Sequence, residues 1–236
     1  MPGVSGVSVP GPTEAADRWR DLRRRAVSAA VLAPVALACV WVGGLVFAAL
    51  VALAGLLLIA EWARLCRKAP LLLLGGMAWI VLAGAALLWV RADPAAGRAN
   101  LLFLLLLVWA SDIGAYLVGR LVGGPKLAPR VSPAKTWSGT LGGIAAAILV
   151  GWCAEWLVPA HGPAGWIVAV TFVLCVIGQL GDLAESAAKR HFGVKDSGAL
   201  IPGHGGLLDR LDALLAVAPF AALLALCLGR GVLLWE

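Results

Sequence analysis

The apolar residues of this chain come in runs too long for the interior of a water-soluble domain. From residue 26 to residue 62 they continue almost unbroken, whereas one membrane-crossing helix needs only about 20 residues. The run therefore divides, and the pair Gly43 and Gly44 is the place where a helix would break. Further apolar segments cover residues 69–90, 100–121, 138–158, 165–189 and 207–228. In hydrocarbon every backbone polar group must be bonded within its own segment, which leaves the helix as the only element such runs can form. The expected fold is all-α: a polytopic integral membrane bundle with about seven transmembrane helices. Hydrophobic residues make up 61% of the 236 and charged residues 14%, against roughly 25% charged in ordinary soluble domains.

The charges that remain fall between the runs. If the amino terminus lies in the cytoplasm, the basic groups at 18–25, 64–68, 120–135 and 189–210 all share one side, and only Arg91, Arg98 and Arg230 lie on the other. That asymmetry is the positive-inside pattern, and it accounts for the net charge of +6 without nucleic acid as a partner. Residues 1–17 have no periodicity and read as a disordered cytoplasmic tail, leaving 18–236 as a single membrane-embedded domain. A signal peptide also has a basic region, an apolar run and small residues such as Ala36 and Ala38, but here the apolar sequence runs on to Trp62. Cys39, Cys66, Cys153, Cys175 and Cys227 are scattered through apolar sequence without metal-ligand spacing, so neither disulfides nor zinc are expected.

One stretch breaks the apolar monotony. Residues 181–212 gather acids, bases and glycines. In a helix, Asp182, Glu185, Ser186 and Lys189 lie three, four and seven positions apart and share one face, with Arg190 beside it. A loop rich in glycine follows, and then Asp209 and Asp212, three apart, open the next apolar helix. Two helix ends presenting carboxylates to one loop suit a divalent cation and a polyphosphate. Asp112 is a second acid inside a span, either functional or held for packing by a neighbour such as Arg120.

The loop at 120–139 carries Lys126, Arg130 and Lys135 among glycines and prolines; it can wrap a polyphosphate, or simply supply topological charge. Ser132, Pro133, Lys135 and Thr136 have the composition of a helix start. His204 reads equally as an acid or base, a phosphate donor or a turn residue, and Gly205 and Gly206 as a ligand approach or an ordinary turn. Glu61 with Trp62 reads as an interfacial anchor, Glu61 pairing with Arg64.

Taken in order, Gly181-Asp182-Leu183, Glu185-Ser186, Lys189-Arg190, Lys195-Asp196, His204-Gly205-Gly206 and Asp209-Arg210-Leu211-Asp212 resemble the signature of the phosphatidate cytidylyltransferases, also called CDP-diacylglycerol synthases. Upstream, Asp112, Ala115, Tyr116, Gly119, Arg120, Ser132, Pro133, Lys135, Thr136, Trp137 and Gly139 are similar to the same family, with Ser138 standing where Glu is expected. The resemblance covers the carboxyl-terminal half; over the first hundred residues it rests on hydrophobicity and Glu61-Trp62. It implies CTP plus phosphatidate giving CDP-diacylglycerol and pyrophosphate, with Mg2+ required.

On that resemblance the expected metal ligands are Asp182 and Asp209, with Asp212 and Asp196 secondary and Ser186 completing the shell. Lys189, Arg190 and Arg210 would grip phosphates, Gly205 and Gly206 would let backbone approach them, and Lys135, Lys195 and His204 would complete the substrate site. The catalytic group is then Asp182, Ser186, Lys189 and Asp209. Phosphatidate carries its own anionic nucleophile, so the chemistry asks for positioning and charge neutralisation rather than a strong base. A polyprenol or phytol kinase could share the acids and glycines, and a cation-coupled transporter could bury Asp112 and Asp182. The expected setting is a bacterial inner membrane with the site facing the cytoplasm and a homodimer as the assembly.

Overall fold

A computed structural model describes residues 30–159, 162–163, 165–198 and 205–236. The tail at 1–17, the arginines between 18 and 25, and His204 lie outside the described residues. The helices are α1 (Ala30–Val42), α2 (Gly44–Leu65), α3 (Pro70–Arg91), α4 (Gly97–Leu121), α5 (Trp137–Leu157), α6 (Trp166–His191) and α7 (Leu208–Leu228). Between α4 and α5 lie two short strands, β1 (Lys126–Ala128) and β2 (Ser132–Thr136). Among the described residues, α2 to α7 are long and apolar enough to cross a membrane, and the described part of α1 is shorter. The chain is thus the all-α membrane bundle that its apolar runs require.

The first long run breaks at the two glycines. Gly43 has φ 70° and Gly44 φ 53°, backbone that L-residues with a Cβ rarely adopt. The break strands carbonyls at the end of α1, and Arg91 takes them: Nε donates to Val40 O at 2.6 Å and Nη2 to Trp41 O at 3.1 Å. At the opposite end of α2, the Trp62 indole crosses to α3 and donates to Leu72 O at 3.0 Å. Gly76 leaves room for that ring, since a Cβ there would run into it.

Helices in lipid gain little from burying apolar surface, so close packing needs small residues. Between α4 and α5 glycine supplies it. A Cβ on Gly114 would stand 2.7 Å from Gly142 O, one on Gly139 2.7 Å from Ala115 O, and one on Gly143 2.8 Å from Ser111 O. Helix α7 is central: Val217 and Ala221 pack with Leu104, Leu107, Val170 and Leu174 of α4 and α6, whereas Leu208, Leu215 and Ala218 pack with Leu58, Ile80 and Ala83 of α2 and α3. Both faces of the helix that carries Asp209 and Asp212 are therefore held.

The loop at 120–139 departs from the expected helix start. Ser132 lies in β2, paired with Ala128, and Lys126 is paired with Thr136. Pro133 is tolerated because a two-stranded ribbon leaves half of its backbone donors unused. The helix begins at Trp137, capped by Thr136, whose Oγ1 accepts from Gly139 N at 3.1 Å. Ser138, the residue that departs from the family pattern, donates to Gly123 O and ties the ribbon's entrance to the start of α5.

At the far end of the bundle the carboxyl-terminal residues fold back onto α4. Buried Asn100 donates from Nδ2 to Val232 O at 3.0 Å and accepts from Leu234 N at 2.9 Å. Asp93, outside the spans, accepts from the amides of Ala95, Ala96 and Gly231. Those amides, Ala96 first, hold its carboxyl below the usual carboxylate range, so this contribution is present at neutral pH and is lost only as pH falls through that lowered value. Asn100→Ala orphans the buried Leu234 amide and is expected to cost about 1–3 kcal/mol, read as a lower melting temperature with turnover unchanged.

Candidate active site

Three segments meet at the end of the bundle opposite the carboxyl-terminal clasp: the end of α6, the start of α7 and the ribbon. Glycine again sets the spacing. Gly181 faces Ala216 and stands, by an added Cβ, 3.3 Å from Asp212 O, so α7 crosses α6 against bare backbone. The helical period places Asp182, Glu185, Ser186 and Lys189 on the face that meets α7.

Ligand-capable oxygens of Asp182, Glu185 and Asp212 lie within 4.8 Å of one another. Lys135, from β2, reaches Asp182 Oδ2 at 2.5 Å, and Ser186 Oγ lies 3.5 Å from Asp182 Oδ1. Glu185 is buried, and Lys189 approaches its Oε2 to 2.7 Å, yet neither oxygen accepts a hydrogen bond of ordinary geometry. Asp212 Oδ1 accepts from Ala213 N at 2.7 Å. Oxygens bound to one magnesium ion sit up to about 4.2 Å apart, so this trio needs only small adjustments to hold such an ion. Glu185 Oε1, buried and without a hydrogen bond, lies with two further acids, a donor set of the kind a hard divalent cation takes.

Asp209 stands apart from that trio. Its Oδ1 takes Lys189 Nζ at 2.5 Å, and its Oδ2 takes Ser197 N at 3.1 Å, Ser197 Oγ at 3.1 Å and Gly206 N at 2.9 Å. Four donors nearly exhaust what a carboxylate can accept. Lys189 is the hinge of the arrangement, bridging Glu185 and Asp209. Asp196 is exposed and packs beside Gly205. Lys195 and Arg210 are also exposed. Arg190 lies along the ribbon, donating to Val131 O at 3.3 Å and Val194 O at 3.4 Å. Gly205 has φ 81° and Gly206 is buried. Asp112 lines a small cleft between α4, α6 and α7 with Ser111, Cys175 and Gln179.

Two acids have places that spacing did not foretell. Glu185 shares the Asp182 face, and its i+3 position beside a helix rich in small residues is the signal that points to it. Glu61 neither anchors at the interface nor pairs with Arg64 among the contacts described. It is 2% exposed, and its oxygens accept from Leu207 N at 3.0 Å and Leu208 N at 2.9 Å at the start of α7. Only the packing of α2 on α7 brings it there.

Residues 67–228 match the model of the cytidylyltransferase family. The chain belongs to that family. It is 39% identical over 247 aligned positions to a phosphatidate cytidylyltransferase of Brucella suis, an alignment covering 84% of this chain and 91% of the relative. The same identity and coverage hold for a relative of that name from Brucella abortus. A phosphatidate cytidylyltransferase of Staphylococcus epidermidis is 50% identical over 128 residues, 54% of this chain and 49% of the relative. The cytidylyltransferase match takes in the trio, Lys135, Lys189 and Asp209; Glu61 lies just before it.

Proposed function

We propose that this chain transfers the cytidylyl group of CTP to phosphatidate, giving CDP-diacylglycerol and pyrophosphate. The observation that carries the proposal is the alignment with the Brucella suis phosphatidate cytidylyltransferase over nearly the whole of both chains. A phosphate oxygen of phosphatidate attacks the α-phosphorus of CTP, the bond from that phosphorus to the bridging oxygen breaks, and pyrophosphate leaves with its electron pair. The nucleophile is already an anion, so the protein has to bring anions together rather than remove a proton.

The chain's own groups suit that task. Asp182, Glu185 and Asp212 would hold Mg2+, which supplies neutralisation of phosphate charge when bound. Asp209, which already accepts from Lys189, Ser197 and Gly206, is assigned to holding those three residues rather than the ion. Lys135 and Lys189 place ammonium groups on two of the three acids, Asp182 and Glu185, where they can exchange carboxylate for phosphate partners. Arg190, Lys195 and Arg210 rim the site with exposed cationic side chains suited to a polyphosphate.

The basic residues at 64–68, 120–135 and 189–195, with Arg210, lie on the site's side of the bundle, which supports a cytoplasmic orientation in a bacterial inner membrane. There CTP arrives from water and phosphatidate from the bilayer.

Detergent-purified protein with phosphatidate and CTP labelled at the α- or the γ-phosphate tests the reaction. The α-label should enter lipid and the γ-label should leave as pyrophosphate, one for one, with both lost on chelating magnesium. Transfer of the γ-label to a polyprenol would make the chain a kinase; ion-driven flux without pyrophosphate release would make it a transporter.

A further inference from the structure

Glu61 comes from the amino-terminal half of the chain, before the family match begins, yet it is the buried acid that touches the approach to the site from outside α6 and α7. Its two oxygens take the Leu207 and Leu208 amides, which the helix itself leaves without partners. Ser197 Oγ lies 3.4 Å from Glu61 Oε2 and 3.1 Å from Asp209 Oδ2, so one hydroxyl stands between the two carboxylates. Gly198 and Gly206 leave room for Glu61 and Ser197. A Cβ on Gly198 would come within 2.9 Å of Glu61 Oε1, and one on Gly206 would run into Ser197 Oγ first and stand 2.9 Å from Glu61 Oε2. Gly206 thus lies against the Ser197 hydroxyl and the Glu61 carboxylate together.

A carboxylate over the first amides of a helix is also favoured by the helix dipole. Because α2 is fastened to α3 by Trp62, the first turn of α7 is referred to a rigid helix pair rather than left to a glycine-rich segment. We infer that Glu61 is the positioning residue of this site, holding Ser197, Gly206 and the start of α7 so that Asp209 meets Lys189 and Asp212 meets Asp182 and Glu185. The inference rests on the proposed cytidylyl transfer.

The test compares the parent with Glu61→Gln and Glu61→Asp, all purified in detergent. Glutamine keeps the volume but turns a donor toward a backbone N–H, so kcat should fall about ten- to a hundredfold while KM for phosphatidate stays within about twofold. Tryptic cleavage after exposed Lys195 should quicken several-fold over cleavage elsewhere. Combining Glu61→Gln with Ser197→Ala should cost less than the two losses multiplied, since both act through Asp209. Glu61→Asp keeps the carboxylate and should recover part of kcat.

Parent-like kcat in Glu61→Gln, a loss confined to KM for phosphatidate, or strictly multiplicative losses would overturn the inference, as would failure of both variants to fold, which would make Glu61 a folding residue only. A parent that makes no CDP-diacylglycerol would instead overturn the proposed reaction.

Discussion

Asp182→Asn is expected to lower CTP-dependent turnover at least about a hundredfold, or about 2.7 kcal/mol of transition-state stabilisation, in a protein that stays folded. Asp182 contributes an oxygen to the trio with Glu185 and Asp212, and asparagine keeps the shape while removing the charge a divalent ion needs. Stability should divide in a telling way. Three carboxylates so close repel one another without an ion, so losing one charge offsets the loss of the partly exposed Lys135 pair. In the parent, magnesium at a hundredfold excess over its Kd should add about 2.7 kcal/mol, raising the melting temperature by several degrees. Asp182→Asn should lose most of that rise. Asp209→Asn should lose activity but keep the rise, because Asp209 holds Lys189, Ser197 and Gly206. Turnover in Asp182→Asn within a few-fold of the parent, or an undiminished magnesium-dependent rise, would remove Asp182 from the metal site.

Lys189→Met should be the most destabilising single change at the site. The Lys189 side chain is 12% exposed, and its partners Glu185 and Asp209 are 7% and 10% exposed. Removing the cation strands two buried carboxylates, a change that costs about 3–5 kcal/mol in comparable buried pairs. The melting temperature should drop by about 6–20 °C for a chain of this size, and turnover should fall with it. Adding Glu185→Gln to Lys189→Met should restore part of the stability, since one of the stranded charges is gone. A single Lys189→Met variant that melts with the parent would show that water reaches both carboxylates and that Lys189 does not hold the two helices together.

Much of this protein was readable along the chain. The spans, the break at Gly43 and Gly44, and the shared face of Asp182, Glu185, Ser186 and Lys189 follow from transfer free energy and helical period, which act on neighbouring residues and need no partner. The family signature was legible for the same reason, because its acids, bases and glycines lie within one contiguous stretch. The ribbon at 126–136 was not: two short strands satisfy each other across a turn, and glycine and proline content alone reads as irregular loop.

The roles of the acids were decided by packing. Asp209 and Asp212 lie three residues apart, about 4.5 Å along the helix and roughly 60° around it. Which of them joins Asp182 depends on how α7 is rotated where it crosses Gly181. The crossing puts Asp212 with Asp182 and Glu185 and sends Asp209 to Lys189, a difference in contacts that spacing cannot show. Glu61 makes the same point over 146 positions of sequence separation: a carboxylate that looks like a surface anchor becomes the support of a distant helix start. The sequence by itself determined which segments span the membrane and which side chains share a helix face, because those depend on local solvation and a fixed pitch. Only the tertiary structure decided which carboxylates meet, because that depends on helix rotation and on glycines that let one backbone approach another.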